Sequence, residues 1–301
     1  MPRVKLHGIF APITTPFAAD GSVDHIRLRE NVTRYNKTGL AGYVPNGSTS
    51  ESVLLRWEEV YKNWETVKAA AAADKILIAG TGAESTAETI EHTNRAAALG
   101  YAAALVRTPS FFKPAVNDEL LAAHYLRVAD AARIPVLLYS VPVFTHVTIE
   151  PALVARVAHH PNIAGMKDSS GNVEAVRQIV AAAPKTFQML VGSPTALFES
   201  LELGAVGAIL ALADAFPELC VEIYESSRSG DRGRAQQLAQ KLLAPAKMFG
   251  SQYGISGLKY ALDRQGYYGG PPRLPLLPLN SPAKHEIDAM LANLAYEPAH
   301  L

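Results

Sequence analysis

The stretch "IAGMKDSSGNVEAVRQIVAAA", residues 163–183, contains the alternation that predicts the fold. Its first part is a short apolar run that ends on Lys167 and Asp168. Its second part places apolar residues at helical spacing. A strand followed by a helix is the repeating unit of parallel sheets, because parallel strands need a long crossover connection. The same pair of patterns recurs along the chain, so this segment is one member of a series.

Eight such strand-like runs precede helical patterns before residue 230. They are nearly continuous in apolar residues, which is typical of strands buried on both faces of a parallel sheet. Eight units favour a closed (β/α)8 TIM barrel over residues 1–230, with a doubly wound open sheet as the competing fold. After residue 230 helical patterns follow one another without strands, which predicts a helical extension over 231–301 packed on the barrel. The runs are 8–17, 41–48, 75–82, 102–109, 135–142, 163–170, 187–193 and 205–212.

The composition is that of a soluble globular protein with a sizeable core. The chain has 301 residues, of which 49% are hydrophobic and 19% charged, and its formal net charge is +0. Balanced charge gives no electrostatic reason to expect nucleic acid or an anionic membrane as partner. No window reaches the ~20 apolar residues of a membrane span, and the first residues lack a signal-peptide core. With Cys220 as the single cysteine, a reducing compartment and a cytoplasmic location are predicted.

Active sites of such barrels lie at the carboxyl ends of the strands, where this chain places one lysine and one tyrosine among hydroxyl residues. Carboxylates are few there, which disfavours a glycosidase, and the scattered histidines disfavour a metal site. The segment "GTGAES" (80–85) lacks the full dinucleotide fingerprint, and no nucleophile elbow is present. The sequence therefore predicts neither a cofactor nor a metal. The strand-end carboxylates are Glu51, Glu84 and Asp168.

Lys167 in an apolar barrel mouth suits Schiff-base chemistry. A lysine that loses hydration gives up its proton more readily, and the free amine attacks a ketone to form an imine. The protonated imine is an electron sink for cleavage or formation of a neighbouring C–C bond. Tyr139 is a candidate proton carrier for these steps. The alternative is that Lys167 is a solvated strand-end cation and Tyr139 an ordinary aromatic at the edge of the core.

Three motifs extend this interpretation through resemblance to a known family. "GMKDSSG" (165–171) resembles the Schiff-base lysine motif of the dihydrodipicolinate synthase / N-acetylneuraminate lyase superfamily. "YSVP" (139–142) resembles its strand-five tyrosine motif, and "GSTSE" (47–51) its pyruvate-carboxylate loop. Similar stretches, among them "APITTPF" (11–17) and residues 253–276, cover almost the whole chain in the family's order. Among subfamilies the chain looks most like 4-hydroxy-2-oxoglutarate aldolases.

The resemblance implies a role for each matching residue. Lys167 would form the imine with pyruvate or another 2-oxoacid, and Tyr139 would be the acid/base. Ser48 stands at the family's relay threonine, and Thr49, with the backbone amides of its loop, would hold the α-carboxylate. Ile209 matches the residue whose backbone carbonyl faces the substrate. The family also implies an aldehyde as second substrate and a homotetramer built as a dimer of dimers.

The sequence departs from the family pattern at four positions. Phe111 stands where a tyrosine commonly reaches a neighbouring subunit's site, so the proton relay is interrupted or completed by water. Phe144 stands where dihydrodipicolinate synthases carry the arginine that holds the second substrate's carboxylate. His146 replaces a usual glycine, and Ser50 replaces the glycine of the carboxylate loop. Phe111, Phe144 and His146 predict a bulkier, less cationic substrate pocket, unless they only repack the loops. The candidate substrate-binding residues are Thr49, Ser50, Ile209, Phe111 and Phe144.

Three functions remain as hypotheses. The first is a class I lyase that cleaves 4-hydroxy-2-oxoglutarate, or a near relative, to pyruvate and glyoxylate. The second keeps the imine but changes the second substrate, as in 4-hydroxy-tetrahydrodipicolinate synthase or a 2-oxo-3-deoxy sugar acid aldolase or dehydratase. The third is a catalytically impaired binding or regulatory homologue, since fold alone does not determine function.

Overall fold

The computed structural model describes residues 4–294 and 296, and it contains eight parallel strands in one closed barrel. The strands follow one another around the barrel in chain order. Between β5 and β6 the register shifts once, between Val136 and Leu137, and then places Tyr139 opposite Lys167 and Ser140 opposite Asp168. The predicted TIM barrel is confirmed. The strands are β1 Gly8–Ala11, β2 Gly42–Tyr43, β3 Ile76–Gly80, β4 Ala103–Arg107, β5 Val136–Ser140, β6 Ile163–Asp168, β7 Gln188–Val191 and β8 Gly207–Ile209.

Helices follow the strands and dominate the C-terminal part, as predicted. A π-helical turn over Met248–Gln252 connects α12 to α13. The predicted helical region 231–301 contains α11 to α14, and its residues 295 and 297–301 lie outside the described residues. The helices are α1 His25–Tyr35, α2 Trp57–Ala70, α3 Thr86–Ala98, α4 Asp118–Ala131, α5 Pro142–Thr145, α6 Pro151–Val157, α7 Val173–Ala182, α8 Leu197–Glu202, α9 Leu212–Ala215, α10 Pro217–Ser229, α11 Arg232–Lys241, α12 Leu243–Lys247, α13 Gly254–Arg264 and α14 Ser281–Asn293.

The strands are shorter than the apolar runs that predict them. The run 8–17 forms a strand only over Gly8–Ala11, and its remainder is the loop that leaves the carboxyl end of β1. The run 135–142 ends in α5, a helical turn that the sequence pattern does not predict. Pro142 lies in the first turn of that helix, where its fixed φ and missing N–H are tolerated. Apolar residues thus continue past the ladder into the loops, so composition alone overestimates strand length.

The contacts within the chain define two compact units. One contains the residues up to Gly8 together with Ile76–Ile209, and it includes β3 to β8. The other contains Ile9–Lys75 together with the residues from Leu210 on. A barrel domain bounded at residue 230 remains a prediction, although Gly230 ends α10 in the left-handed conformation at φ 86°.

Trp64 and Cys220 belong to the core. Trp64, on the apolar stripe of α2, is completely buried and packs beside Tyr61. Cys220 on α10 is buried with a free thiol, and burial raises the pKa of that thiol, which disfavours the reactive thiolate. Among the described residues, no helix is both long and apolar enough to cross a membrane.

Candidate active site

Lys167 and Tyr139 lie side by side at the carboxyl ends of neighbouring strands. Because the two residues are register partners on β6 and β5, their side chains leave the same face of the sheet. Lys167 Nζ lies 4.3 Å from the centre of the Tyr139 ring, and the two residues are only 5% and 4% exposed. Within the described residues, no oxygen accepts a hydrogen bond from Lys167 Nζ. An aromatic face therefore flanks an amine that is held away from bulk water.

A glycine on the next strand makes room for this lysine. A methyl group on Gly192, which directly follows β7, would lie 1.9 Å from Ser169 Oγ and 2.8 Å from Lys167 Cε. A side chain at this position would force the Ser169 hydroxyl and the Lys167 stem to move. The absence of a Cβ at Gly192 therefore leaves the space that the lysine stem occupies, and the half-buried Ser169 hydroxyl lies beside that stem.

The opposite face of β6 carries a buried carboxylate that shapes the loop after Lys167. Ser170 Oγ and Ser170 N donate to Asp168 Oδ2 at 2.5 and 3.2 Å. Burial raises the pKa of Asp168 above its ordinary value, although hydrogen bonds from Ser170 and Ser140 oppose the shift. Gly192 N also donates to the Asp168 carbonyl at 2.6 Å. Asp168 thus fixes the turn that carries Ser169.

The carboxylate loop, residues 47–51, forms a short 3₁₀ turn after β2. Ser48 begins the turn and is half-buried, whereas Thr49 and Ser50 are buried. Ser50 Oγ donates to the Ile13 carbonyl at 2.5 Å, and Thr15 Oγ1 donates to the Ser50 carbonyl at 2.7 Å. The serine that replaces the family's glycine thus faces the backbone of the preceding loop. The Ser50 hydroxyl is thus used in a contact between the two loops, and the substrate-binding roles of Thr49 and Ser50 stay predictions.

The carboxylate loop ends at a buried ion pair. Glu51 is 2% exposed, and its Oε1 accepts a 2.6 Å hydrogen bond from Nζ of Lys259 on α13. Its Oε2 accepts from the backbone N–H of Arg273 at 2.8 Å. Glu51 therefore serves as a structural anchor, and the function of Lys259 and Arg273 at this loop was missed from the sequence. Both lie in the stretch 253–276, which the family resemblance already marked.

The loop after β4 is anchored through Glu84. This carboxylate accepts from the backbone N–H groups of Ser110 and Phe111 at 2.7 and 2.9 Å and from Arg107 Nη1 at 2.6 Å. Partial burial opposes ionisation, but these donors outweigh it and lower the pKa of Glu84. The Phe111 ring is 78% exposed and meets Phe112 edge-on at 5.2 Å. The loop backbone is thus fixed while its two rings project outward.

The remaining predicted substrate-binding residues lie in different surroundings. Phe144 on α5 is 60% exposed, and His146 follows it in the left-handed conformation at φ 53°. Ile209 is completely buried at the end of β8. The structure therefore brings Lys167 and Tyr139 into contact, whereas the side chains of Phe111 and Phe144 are exposed.

Comparison with known proteins identifies the family of the chain. The model of the dihydrodipicolinate synthetase family matches residues 5–294. The chain belongs to that family. The 4-hydroxy-tetrahydrodipicolinate synthase of Methanothrix thermoacetophila is 36% identical over 289 residues, which cover 96% of this chain and 97% of the relative. The enzyme of the same name from Rhizobium meliloti is 35% identical over 286 residues, covering 94% and 97%.

A solved structure of the family gives the same picture. The chloride-inhibited dihydrodipicolinate synthase from Acinetobacter baumannii, complexed with pyruvate, superposes with a TM-score of 0.92 at 31% identity, covering 96% of this chain and 99% of the other. Members of the family are aldolase-type lyases, and the present chain is an enzyme of that class. The resemblance stated from the motifs is thereby confirmed at the level of the family.

Proposed function

We propose that the protein is a class I aldolase in which Lys167 forms a Schiff base with pyruvate or a related 2-oxoacid. The observation that carries the proposal is the contact between Lys167 Nζ and the buried Tyr139 ring. An amine shielded from water attacks a ketone carbonyl, and a phenol beside it moves protons while the carbinolamine forms and collapses. Pyruvate in the Acinetobacter baumannii relative supports the choice of the first substrate.

The other site residues take the functions that the family motifs imply. Thr49 and the backbone amides of the carboxylate loop would bind the α-carboxylate of the 2-oxoacid, because oriented donors stabilise an oxyanion. Ser48 would relay protons to Tyr139 with its hydroxyl. Ile209 would turn its backbone carbonyl toward the bound substrate. Phe111 and Phe144 would border the pocket for the second substrate with apolar surface.

Retro-aldol cleavage of 4-hydroxy-2-oxoglutarate is the specific reaction that we propose. In the imine of this substrate, Tyr139 accepts the proton of the C4 hydroxyl while the C3–C4 bond breaks. The electron pair of that bond moves into the imine, glyoxylate leaves, and an enamine stays on Lys167. Protonation of C3 and hydrolysis of the imine by water then release pyruvate and regenerate the free amine.

Synthesis of 4-hydroxy-tetrahydrodipicolinate is the second candidate, and the names of the relatives at 35–36% identity favour it. Phe144 argues against it, because an arginine at this position holds the carboxylate of aspartate semialdehyde in dihydrodipicolinate synthases. A panel offering pyruvate with glyoxylate, aspartate semialdehyde or sugar-derived aldehydes distinguishes the candidates. Turnover confined to aspartate semialdehyde would replace our specific assignment, and turnover confined to sugar-derived aldehydes would indicate a 2-oxo-3-deoxy sugar acid aldolase.

Borohydride reduction in the presence of pyruvate tests the Schiff base itself. We expect a stable adduct on Lys167, identified by peptide mass spectrometry, and its loss in Lys167→Ala. Tyr139→Phe should keep the fold but slow turnover by about 10²–10⁴-fold, which is the usual contribution of a positioned proton carrier. An unmodified Lys167 in the reduced wild-type protein would exclude the mechanism.

A catalytically impaired homologue is the remaining alternative, and Phe111 motivates it. Tight pyruvate binding without turnover on any aldehyde would favour that function. The family pattern also supports two further parts of the proposal. These are a homotetramer, which sedimentation velocity tests, and a cytoplasmic location, with which the free buried thiol of Cys220 is consistent.

A further inference from the structure

Lys259 lies at the centre of a buried polar cluster next to the carboxylate loop. Its side chain is 0% exposed, and Nζ donates to Glu51 Oε1 at 2.6 Å and to the carbonyls of Thr15 and Pro271 at 2.9 Å each. The Phe17 ring covers the ammonium at 4.4 Å. Three oxygen acceptors use all three N–H donors of a lysine. The cluster is therefore built around a charged Lys259, although burial lowers the pKa of this residue.

Glu51 transmits this anchorage to the backbone of the loop. Glu51 has φ 57° and ψ 33°, the left-handed backbone conformation that residues other than glycine seldom adopt. Its N–H donates to the Ser48 carbonyl at 3.0 Å and closes the turn that contains Thr49. Lys259 and the Arg273 N–H hold the two carboxylate oxygens separately. The strained end of the turn is thus fixed by groups from the C-terminal helical region.

The same cluster connects the carboxylate loop to the loop after β1. Lys259 binds the Thr15 carbonyl, and the Thr15 hydroxyl binds the Ser50 carbonyl at 2.7 Å. Ser50 Oγ returns to the Ile13 carbonyl. The two loops are therefore joined by three consecutive hydrogen bonds that begin at one ammonium group. Movement of Lys259 would shift both loops together.

We infer that Lys259 and Glu51 are positioning residues that hold the carboxylate loop in the geometry required to bind the substrate's α-carboxylate. The inference rests on the proposed function of Thr49. A buried ion pair is often no more stabilising than apolar residues of the same volume, so stability alone does not account for a charged pair at this place. The ion pair joins α13 to the strained end of the loop, and this location suits a function in orienting the loop.

Borohydride trapping with two ligands tests the inference on the full-length protein. Pyruvate and its methyl ester both offer a ketone to Lys167, but only pyruvate offers a charged carboxylate to the loop. In Lys259→Met we expect the half-saturating concentration of pyruvate to rise by about 10- to 100-fold, the usual effect of a small misplacement of a binding group. Half-saturation by methyl pyruvate should stay within about twofold of wild type, because that ligand does not depend on the loop for charge recognition.

Lys75→Met is the matched control, because Lys75 Nζ also donates to two backbone carbonyls, those of Thr38 and Leu40. Lys75 lies just before the amino end of β3, away from the loops, and its removal should leave both trapping curves unchanged. Thr15→Val removes the hydrogen bond from the Thr15 hydroxyl to the Ser50 carbonyl, together with the long 3.5 Å hydrogen bond that this hydroxyl accepts from Asn63 Nδ2. This variant should also raise the half-saturating concentration of pyruvate and not that of methyl pyruvate, but by a smaller factor. It provides the test if Lys259→Met does not fold.

The outcomes separate this inference from the proposed function. If wild-type protein forms no adduct with either ligand, the proposed Schiff base fails. If wild type is trapped but Lys259→Met and Thr15→Val weaken both ligands equally, or neither, the loop is not oriented by this cluster and the inference is overturned. Selective loss of pyruvate, with methyl pyruvate retained, supports it.

Discussion

Lys167 and Lys259 are two buried lysines of one barrel protein whose side-chain nitrogens both lie against an aromatic ring but differ in their oxygen acceptors. Lys259 donates to one carboxylate and two carbonyls. Among the described residues, the Lys167 nitrogen contacts the Tyr139 ring. Three oxygen acceptors use every N–H of the Lys259 ammonium, whereas the Lys167 nitrogen has no oxygen acceptor among the described residues. The surroundings, rather than burial, distinguish a structural lysine from a candidate nucleophile.

Glycine 192 extends this contrast to the lysine stems. The Lys167 stem occupies space that exists because Gly192 has no side chain. The Lys259 ammonium also lies against a ring, that of Phe17, but oxygen acceptors surround it as well. One lysine thus has space toward a neighbouring strand end, and the other is enclosed on all sides by its acceptors and by a ring. This difference predicts opposite responses when each lysine is replaced.

Replacing each lysine by methionine should give the largest effects, and the two replacements should change the free energy of unfolding in different ways. Lys167→Met should abolish trapping and turnover while the free energy of unfolding stays unchanged or rises by about 1 kcal/mol, because a buried amine without oxygen acceptors is lost. Lys259→Met should lower the free energy of unfolding by about 3–5 kcal/mol, because Glu51 keeps a buried, uncompensated charge. Urea denaturation of both variants measures the difference.

The double variant Lys259→Met/Glu51→Gln is the control for this comparison. It removes both charges while glutamine can still accept from the Arg273 N–H, so it should recover part of the stability lost in Lys259→Met. Equal destabilisation by the two single lysine substitutions would contradict the distinction between the two sites.

The space beside Lys167 gives the next prediction. In Gly192→Ala the new methyl group would collide with Ser169 Oγ and Lys167 Cε, so the lysine stem must move. We expect turnover to fall by about 10- to 100-fold, since a displacement of 1 Å in a reacting group has effects of that order. Steady-state kinetics measures it, and circular dichroism verifies the fold.

Gly47→Ala is a suitable comparison for that variant, because a methyl group at Gly47 meets no atom within 4 Å. This variant should fold with normal stability and keep the Lys167 adduct. Loss of the adduct in Gly47→Ala but not in Gly192→Ala would show that the space at Gly192 has no effect on the reactive lysine.

The sequence predicts the barrel and the neighbouring positions of Lys167 and Tyr139 for a physical reason. The apolar runs have the period and length of buried strands, and strand order alone places Lys167 next to Tyr139. It does not predict the cluster at Glu51, since Lys259 is 208 positions away in the chain and no local pattern distinguishes its ammonium from an exposed one. The helical turn α5 was missed because Pro142 is equally compatible with an extended end of the strand.

His124 provides the smallest effect and extends the comparison to a buried base that stays neutral. Its Nδ1 lies 2.9 Å from Thr86 Oγ1, and its Nε2 is buried without a hydrogen-bond partner among the described residues. Burial lowers its pKa from 6.5 to about 4, although Glu84 opposes the shift. Between these two pH values His124 is therefore protonated in the unfolded chain but neutral in the folded protein. Stability from this group is complete above pH 6.5 and is lost as the pH falls toward 4.

His124→Asn keeps an acceptor near Thr86 but removes the titration. Between pH 7 and pH 4.5 the wild type should lose about 2–3 kcal/mol more than the variant, at about 1.4 kcal/mol for each pKa unit. Urea titrations at a series of pH values measure this difference, and the carboxylates common to both proteins cancel. A parallel pH dependence in the two proteins would mean that His124 becomes protonated in the folded state. In that case a buried base without an ionic partner can carry charge in this fold, and the contrast drawn between Lys167 and Lys259 would lose its physical basis.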